Sequence, residues 1–334
     1  MKKIFTHTVL FAAALLLLLS AAGTTEASEI SKDEFNRLRQ VEQVLLKQIG
    51  EMEAELKTSK QLADYRKSYL AAVPGVAPKP LNDADMAKLL AGARYVMLGD
   101  EHTTNQSQMN TSTVLRMMRS GKEPVTLVLE WIDISFQKEI DAFLAGRLQL
   151  KELQTKISFD KLWGFSWSSY SKILSAAKQL KTPILLVERL KGNHSLADRD
   201  SFITATIAAH AKKSANMRYL VVYGDYHVLG TGHLSQKLAK AGFKPQTILI
   251  GDAPEIYWKL LGKIKDPAKI GFAGLGNGIY YIRNGTPLER SLSYRNYLMK
   301  ILGFKKSDFE EWVGPADIAP QTTGRNNFEA LHNR

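Results

Sequence analysis

The chain has 334 residues, 45% of them apolar, a formal net charge of +12 and no cysteine. That length holds one large domain with appendages or two domains, and the apolar fraction is enough for a real core. The lack of cysteine excludes disulfides, Cys-ligated zinc, iron–sulfur clusters, a catalytic thiol and a lipid-bearing Cys.

Residues 1–27 read as a signal peptide. Lys2 and Lys3 precede an apolar run at 9–19, too short to span a bilayer, and small residues allow cleavage after Ala22 or Ala27. The expected product is exported, periplasmic or secreted, and soluble after cleavage. The basic charge suits an anionic membrane surface, an envelope partner or a carboxylate-bearing ligand, or serves solubility alone. No nucleic-acid motif accompanies it, so no nucleic-acid partner is expected.

Residues 29–73 read as a helical segment opened by the capping-box pattern Ser31-Lys32-Asp33-Glu34. Phe35, Ile49 and Leu56 fall in one heptad position, with Glu42 breaking the series; Leu38, Leu45 and Met52 fall in the other. This coiled-coil-like seam either pairs with a second copy to make a homodimer or packs on its own domain. Pro74, Pro78 and Pro80, with Gly75, mark a linker, so removal of 29–73 is expected to leave the rest folded.

From residue 81 strand and helix patterns alternate. Strands are predicted at 95–98, 125–129, 184–187, 219–223 and 247–250, and a last one at 279–283 with an antiparallel edge as its expected place. Helices are predicted at 107–119, 134–145, 168–180, 197–212 and 234–241. The fold class is therefore α/β: a mostly parallel sheet flanked by helices, with an N-terminal coiled-coil-like helix and a helical C-terminal extension. The domain is bounded at 81–285, and 286–334 reads as helices at 291–302 and 307–312 with a loose tail.

Each predicted strand ends in polar residues: Gly99-Asp100-Glu101-His102, Glu130, Glu188-Arg189, Gly224-Asp225-Tyr226-His227 and Gly251-Asp252. Ligands of open α/β sheets bind beyond the carboxyl ends of parallel strands, so His102 and His227 are expected to meet over one pocket beside Glu130. Glu101, His102, Glu130 and His227 are the candidate catalytic residues; His102, Glu130 and His227 are also a nitrogen/oxygen ligand set for a divalent metal. Asp100, Asp225 and Asp252 have an alternative as helix caps, Glu188 and Arg189 as an ion pair. Gly230-Thr231-Gly232 is a weak anion-cradle signal, and His233 after it is expected to be exposed. Trp163, Phe165, Trp167 and Tyr170 form an aromatic cluster that packs in the core or walls an apolar pocket.

These motifs together resemble the ChaN-like haem-binding uptake domain, a relative of the Tiki proteases and erythromycin esterases. Leu98-Gly99-Asp100-Glu101-His102 resembles the family's Leu-Gly-Glu-x-His, and Leu129-Glu130 its second acidic strand end. Trp167-x-x-Tyr170 resembles its Trp/Tyr helix start, and Gly224-Asp225-Tyr226-His227-Val228 its Gly-x-x-His-Val. The likeness spans residues 85–250. It departs where Asp100 replaces Glu and where Asn105-Gln106-Ser107-Gln108 lacks a second His. The resemblance implies haem or another iron species as small-molecule ligand, serving iron uptake. It makes Tyr223, Tyr226, His227 and Trp167 the candidate cofactor-binding residues. A metal-dependent ester or peptide hydrolase is the alternative.

Overall fold

The apolar runs lie side by side in one sheet of a computed structural model, which describes residues 30–304 except Thr58, Asn193 and Ala215. In chain order the elements begin with α1 (Lys32–Glu55), α2 (Lys60–Ala72), β1 (Lys79–Leu81), α3 (Asp83–Gly92), β2 (Tyr95–Asp100) and α4 (Asn105–Arg119). Next come β3 (Val125–Asp133), α5 (Gln137–Leu144), α6 (Leu150–Lys156), α7 (Phe159–Leu162), α8 (Trp167–Gln179), β4 (Ile184–Glu188) and α9 (Leu196–Lys212). Last are β5 (Arg218–Gly224), α10 (Asp225–Val228), α11 (Leu234–Lys240), β6 (Gln246–Ile250), α12 (Pro254–Ile264), β7 (Phe272–Gly276), β8 (Ile279–Ile282) and α13 (Pro287–Ile301). The expected signal peptide and the expected helix at 307–312 lie outside the described residues. None of the described helices is long and apolar enough to cross a membrane.

The strand order is β1-β7-β8-β6-β2-β5-β3-β4. β2, β3, β4, β5, β6 and β8 pair in parallel, while β7 is antiparallel to both β1 and β8. The predicted last strand is thus an interior strand, not an edge. β7 and β1 add beyond it. Side chains alternate between the faces, as the pleat requires. Val96, Leu98, Leu220 and Val222 join one core with α3, α4 and α8. Met97, Tyr219, Val221 and Tyr223 join the other, under α9, α11 and α12.

The N-terminal helices belong to this second core. The Ser31 hydroxyl accepts from the Glu34 N–H at 3.1 Å, as a helix cap should, but the Glu34 carboxylate turns away to Arg37. Leu38, Glu42, Leu45 and Ile49 form the buried stripe of α1, which lies along α13. The heptad seam is therefore used inside the chain. Glu42, the break in the seam, is buried because the Trp258 indole donates to it at 2.7 Å. From α2, Tyr69 is fully buried. α13 starts with a complete capping box between Thr286 and Glu289.

Candidate functional site

Because six strands run the same way, their carboxyl ends share one edge of the sheet. A cleft of about 770 Å³ opens there, and both His102 and His227 line it, with Glu101, Glu130, Asp225, Tyr226 and Asp252.

His102 stands on a network that starts at the end of β2. Asp100 is buried, and its Oδ1 accepts from Ser107 at 2.8 Å and Gln108 at 2.7 Å, both on α4. Its Oδ2 accepts from the Tyr170 hydroxyl at 2.7 Å and from His102 Nδ1 at 3.0 Å. Burial opposes the charge, but these donors outweigh it and hold the Asp100 carboxyl below its usual range. Burial would likewise push the His102 pKa down. The Asp100 bond and charge, with Glu130 and Glu101, override it and raise it to about 9. Trp163 and Phe165 flank the ring, their centroids 4.8 and 5.2 Å away.

Glu130 faces both imidazoles. β3 does not end there: it runs to Asp133, and its register with β4 shifts between Leu129 and Asp133. Glu130 therefore sits at an irregularity inside the strand, a place where side chains are re-aimed. Its Oε2 accepts the Gly224 N–H at 2.6 Å and lies 3.9 Å from His102 Nε2; its Oε1 takes Arg199 at 3.0 Å. Burial raises its pKa, but the His102, His227 and Arg199 charges more than offset this and lower it.

His227, in the short turn α10, holds Asp200 on α9, with 2.6 Å between Nδ1 and Oδ1. Tyr226 beside it is half-buried and lies 5.5 Å, ring to ring, from Tyr69. Burial and the Asp252 charge keep its phenol well above the ordinary range. Asp225 and Asp252 share Arg290 from α13. Arg290 bonds Asp252 directly and reaches Glu101 at 3.5 Å. Asp225 Oδ1 accepts the Gly251 and Asp252 N–H groups, and Oδ2 has no hydrogen-bond partner among the described residues. Burial and the Asp252 charge push the Asp225 pKa up to about 7, while Arg290 pulls Asp252 down.

Other expectations change. Tyr223 is fully buried, and Trp167 packs edge-on against Phe159 at 4.8 Å; neither lines the cleft. Tyr223 belongs to the second core because strand alternation points it beneath α9; Trp167 turns from the cleft into the α7–α8 packing. His233 is buried rather than exposed, with Nδ1 donating to the Tyr226 carbonyl at 2.6 Å. Of the two ion pairs the sequence allows Glu188, with Arg189 or with a neighbour, the second forms: Arg199 lies 2.8 Å away, and Arg189 lies over the Phe202 ring. Among the described residues, no group of three or more His, Asp or Glu side chains is arranged to hold a metal ion. Both oxygens of Glu130 are taken by protein donors, the Gly224 N–H and Arg199, so the carboxylate of the expected metal triad is turned away from a shared ion.

Sequence reasoning missed Arg199, Asp200, Arg290, Tyr65 and Arg66. Arg199 and Asp200 share a signal: they fall in step with Leu196, Ile203 and Ile207, so the buried face of α9 carries a guanidinium and a carboxylate. Tyr65 and Arg66 carry none.

No curated protein matches the sequence. The type III effector HopBA1 is similar in structure at a TM-score of 0.40 and 13% identity, over 54% of this chain and 87% of that one. ChaN of Campylobacter jejuni, solved with cofacially bound heme, is similar at 0.38 and 17%, over 54% and 89%. The C-terminal region of Pasteurella multocida toxin, with its thiol-protease-like catalytic triad, is similar at 0.38 and 14%, over 65% and 31%. Residues 86–188, which run from α3 to the end of β4 and include Asp100, His102, Glu130 and Tyr170, match the family model for haem-binding uptake, Tiki superfamily, ChaN.

Proposed function

We propose that the chain is an exported binder of haem, or of another iron species, that serves iron uptake and holds its ligand in this cleft. The observation that carries the reading is the pairing of Tyr226 and His227 on the wall of one cleft. Phenolate and imidazole are among the side chains that hold haem iron. His227 keeps its Nδ1 on Asp200, and among the described residues no hydrogen bond engages its Nε2, the arrangement that orients an imidazole as a ligand. The cleft volume falls within the ~300–1,000 Å³ of small-molecule sites. Trp163, Phe165, Leu190 and Leu196 give it apolar wall; Arg66, Arg189 and Arg290 give cations for a propionate. The family match across residues 86–188 supports the same ligand. An anionic envelope surface is the setting such a basic carrier suits.

Titrating haemin into the purified chain tests this. A shifted Soret band is expected, with binding weakened about tenfold or more in Tyr226→Phe and His227→Ala. An unshifted band at saturating haemin overturns it.

One observation favours a hydrolase as second reading: His102 is pinned on buried Asp100 and lies 3.9 Å from Glu130. With its proton kept to about pH 9, His102 then acts as general acid rather than base, or steadies a developing anion. Ester or peptide turnover that is lost in His102→Ala without any Soret change would move the assignment to this reading.

A further inference from the structure

We infer that Tyr65 is a positioning residue for His227, and that the α1–α2 hairpin, outside the family-matched segment, is a working wall of the ligand site. The inference rests on the reading of His227 as a ligand-binding imidazole.

The hairpin supplies Glu42, Leu46, Ile49, Leu62, Tyr65, Arg66 and Leu70 to the cleft. Leu62, Tyr65, Arg66 and Tyr69 recur at the three-to-four spacing that puts them on one helical face. That face lies over the turn that carries Tyr226 and His227. Arg66 bonds Glu53 at 3.1 and 3.2 Å, tying α2 back to α1.

Tyr65 is held on three sides. Its ring stacks on His233 at 4.2 Å and 13°, and meets His227 edge-on at 5.6 Å. His233 is itself fixed to the Tyr226 carbonyl. The Tyr65 hydroxyl donates to Asp200 Oδ2 at 3.3 Å, while Asp200 Oδ1 holds His227 Nδ1 at 2.6 Å. Asp200 is fully buried, and these are its two side-chain donors. Burial and the Asp200 charge keep the phenol protonated, so it is a lasting donor.

The consequence is chemical. A buried carboxylate keeps its charge only while its oxygens are paired. Without the Tyr65 hydroxyl, Oδ2 loses its donor and the Asp200 carboxylate is free to turn. Its grip on Nδ1–H then slackens. The tautomer with the lone pair on Nε2, the form that binds iron, is no longer enforced.

Tyr65→Phe in the full chain tests this, since it keeps both ring contacts and removes one hydrogen bond. Long-range nitrogen–proton NMR of the ligand-free protein reads the His227 tautomer directly. The wild type should show Nδ1–H; the variant should show a mixture of tautomers. Asp200→Asn should reproduce that signature with Tyr65 in place. Haemin should bind the variant about tenfold more weakly, the worth of one bond to a charged acceptor. If the tautomer is unchanged in Tyr65→Phe, Tyr65 is only packing and the inference falls, whatever haemin does. If the signature changes but wild-type protein shows no haemin shift, the positioning role stands and the haem assignment fails.

Discussion

His102 Nδ1 lies 3.0 Å from Asp100 Oδ2, and the same oxygen accepts the Tyr170 hydroxyl. This pairing keeps His102 protonated to about pH 9 against an ordinary value of 6.5. Asp100→Asn removes that charge and leaves the burial, so the His102 pKa should fall in an NMR titration, with Glu130 and Glu101 still opposing the fall. The sign for stability follows. A raised folded-state pKa gives stabilisation that is complete below pH 6.5 and is lost as pH rises through about 9. Denaturant unfolding of the wild type should show that decline, and Asp100→Asn should flatten it.

Asp225 runs on a different scale. Its carboxyl is raised from 3.8 to about 7 by burial and by Asp252. A raised carboxyl favours the folded state at low pH, and that advantage is lost as pH climbs from 3.8 through about 7. Asp225→Asn keeps the shape and cannot ionise. It should raise the melting temperature at pH 8, leave it nearly unchanged at pH 4, and remove this step from the pH–stability curve.

Gly99 marks a tight approach in the site. A Cβ there would lie 2.1 Å from Asp225 Oδ1, whereas one at Gly224 would lie 3.1 Å from His102 Nε2. Gly99→Ala should therefore cost about 2–3 kcal/mol by urea denaturation, since it forces apart β2 and the α10 turn. Gly224→Ala should cost less, but it should displace the His102 ring and perturb its titration.

The N-terminal helix can be tested for membership of the fold. Leu45 is 3% exposed and Val44 is 55% exposed. Leu45→Ala should destabilise the whole molecule by about 2–4 kcal/mol in a single transition, and Val44→Ala by less than about 0.5 kcal/mol. The sequence expectation that the rest stays folded without residues 29–73 meets its test in the same experiment, since their removal takes Leu38, Leu45 and Tyr69 out of the shared core.

The strands β2 and β5 were readable because a parallel strand covered on both faces is a plain apolar run. β7 was missed because Phe272-Ala273-Gly274-Leu275-Gly276 is diluted by glycine, and β1 because Pro80 belongs only on an edge. The linker expected at Pro74–Pro80 was read from the same prolines. In the site, a strand end announces its own His or Asp, so His102 and His227 were visible, while Glu130 stood out as the charge abutting the apolar run 125–129 although the strand continues past it. Their partners were not. Asp200, Arg199, Tyr65 and Arg290 come from helices far off in the chain, and helical spacing tells which face a residue occupies but not which strand it meets.

The sheet edge also governs what the molecule shows to water. Among the described residues, seven carboxylates are buried, Glu42, Asp100, Glu130, Asp133, Glu188, Asp200 and Asp225, against two guanidinium groups, Arg218 and Arg295. The fold thus draws negative charge inward, and its outer shell is more cationic than composition alone suggests. On a cation exchanger the native protein should elute later than its unfolded form at the same low salt.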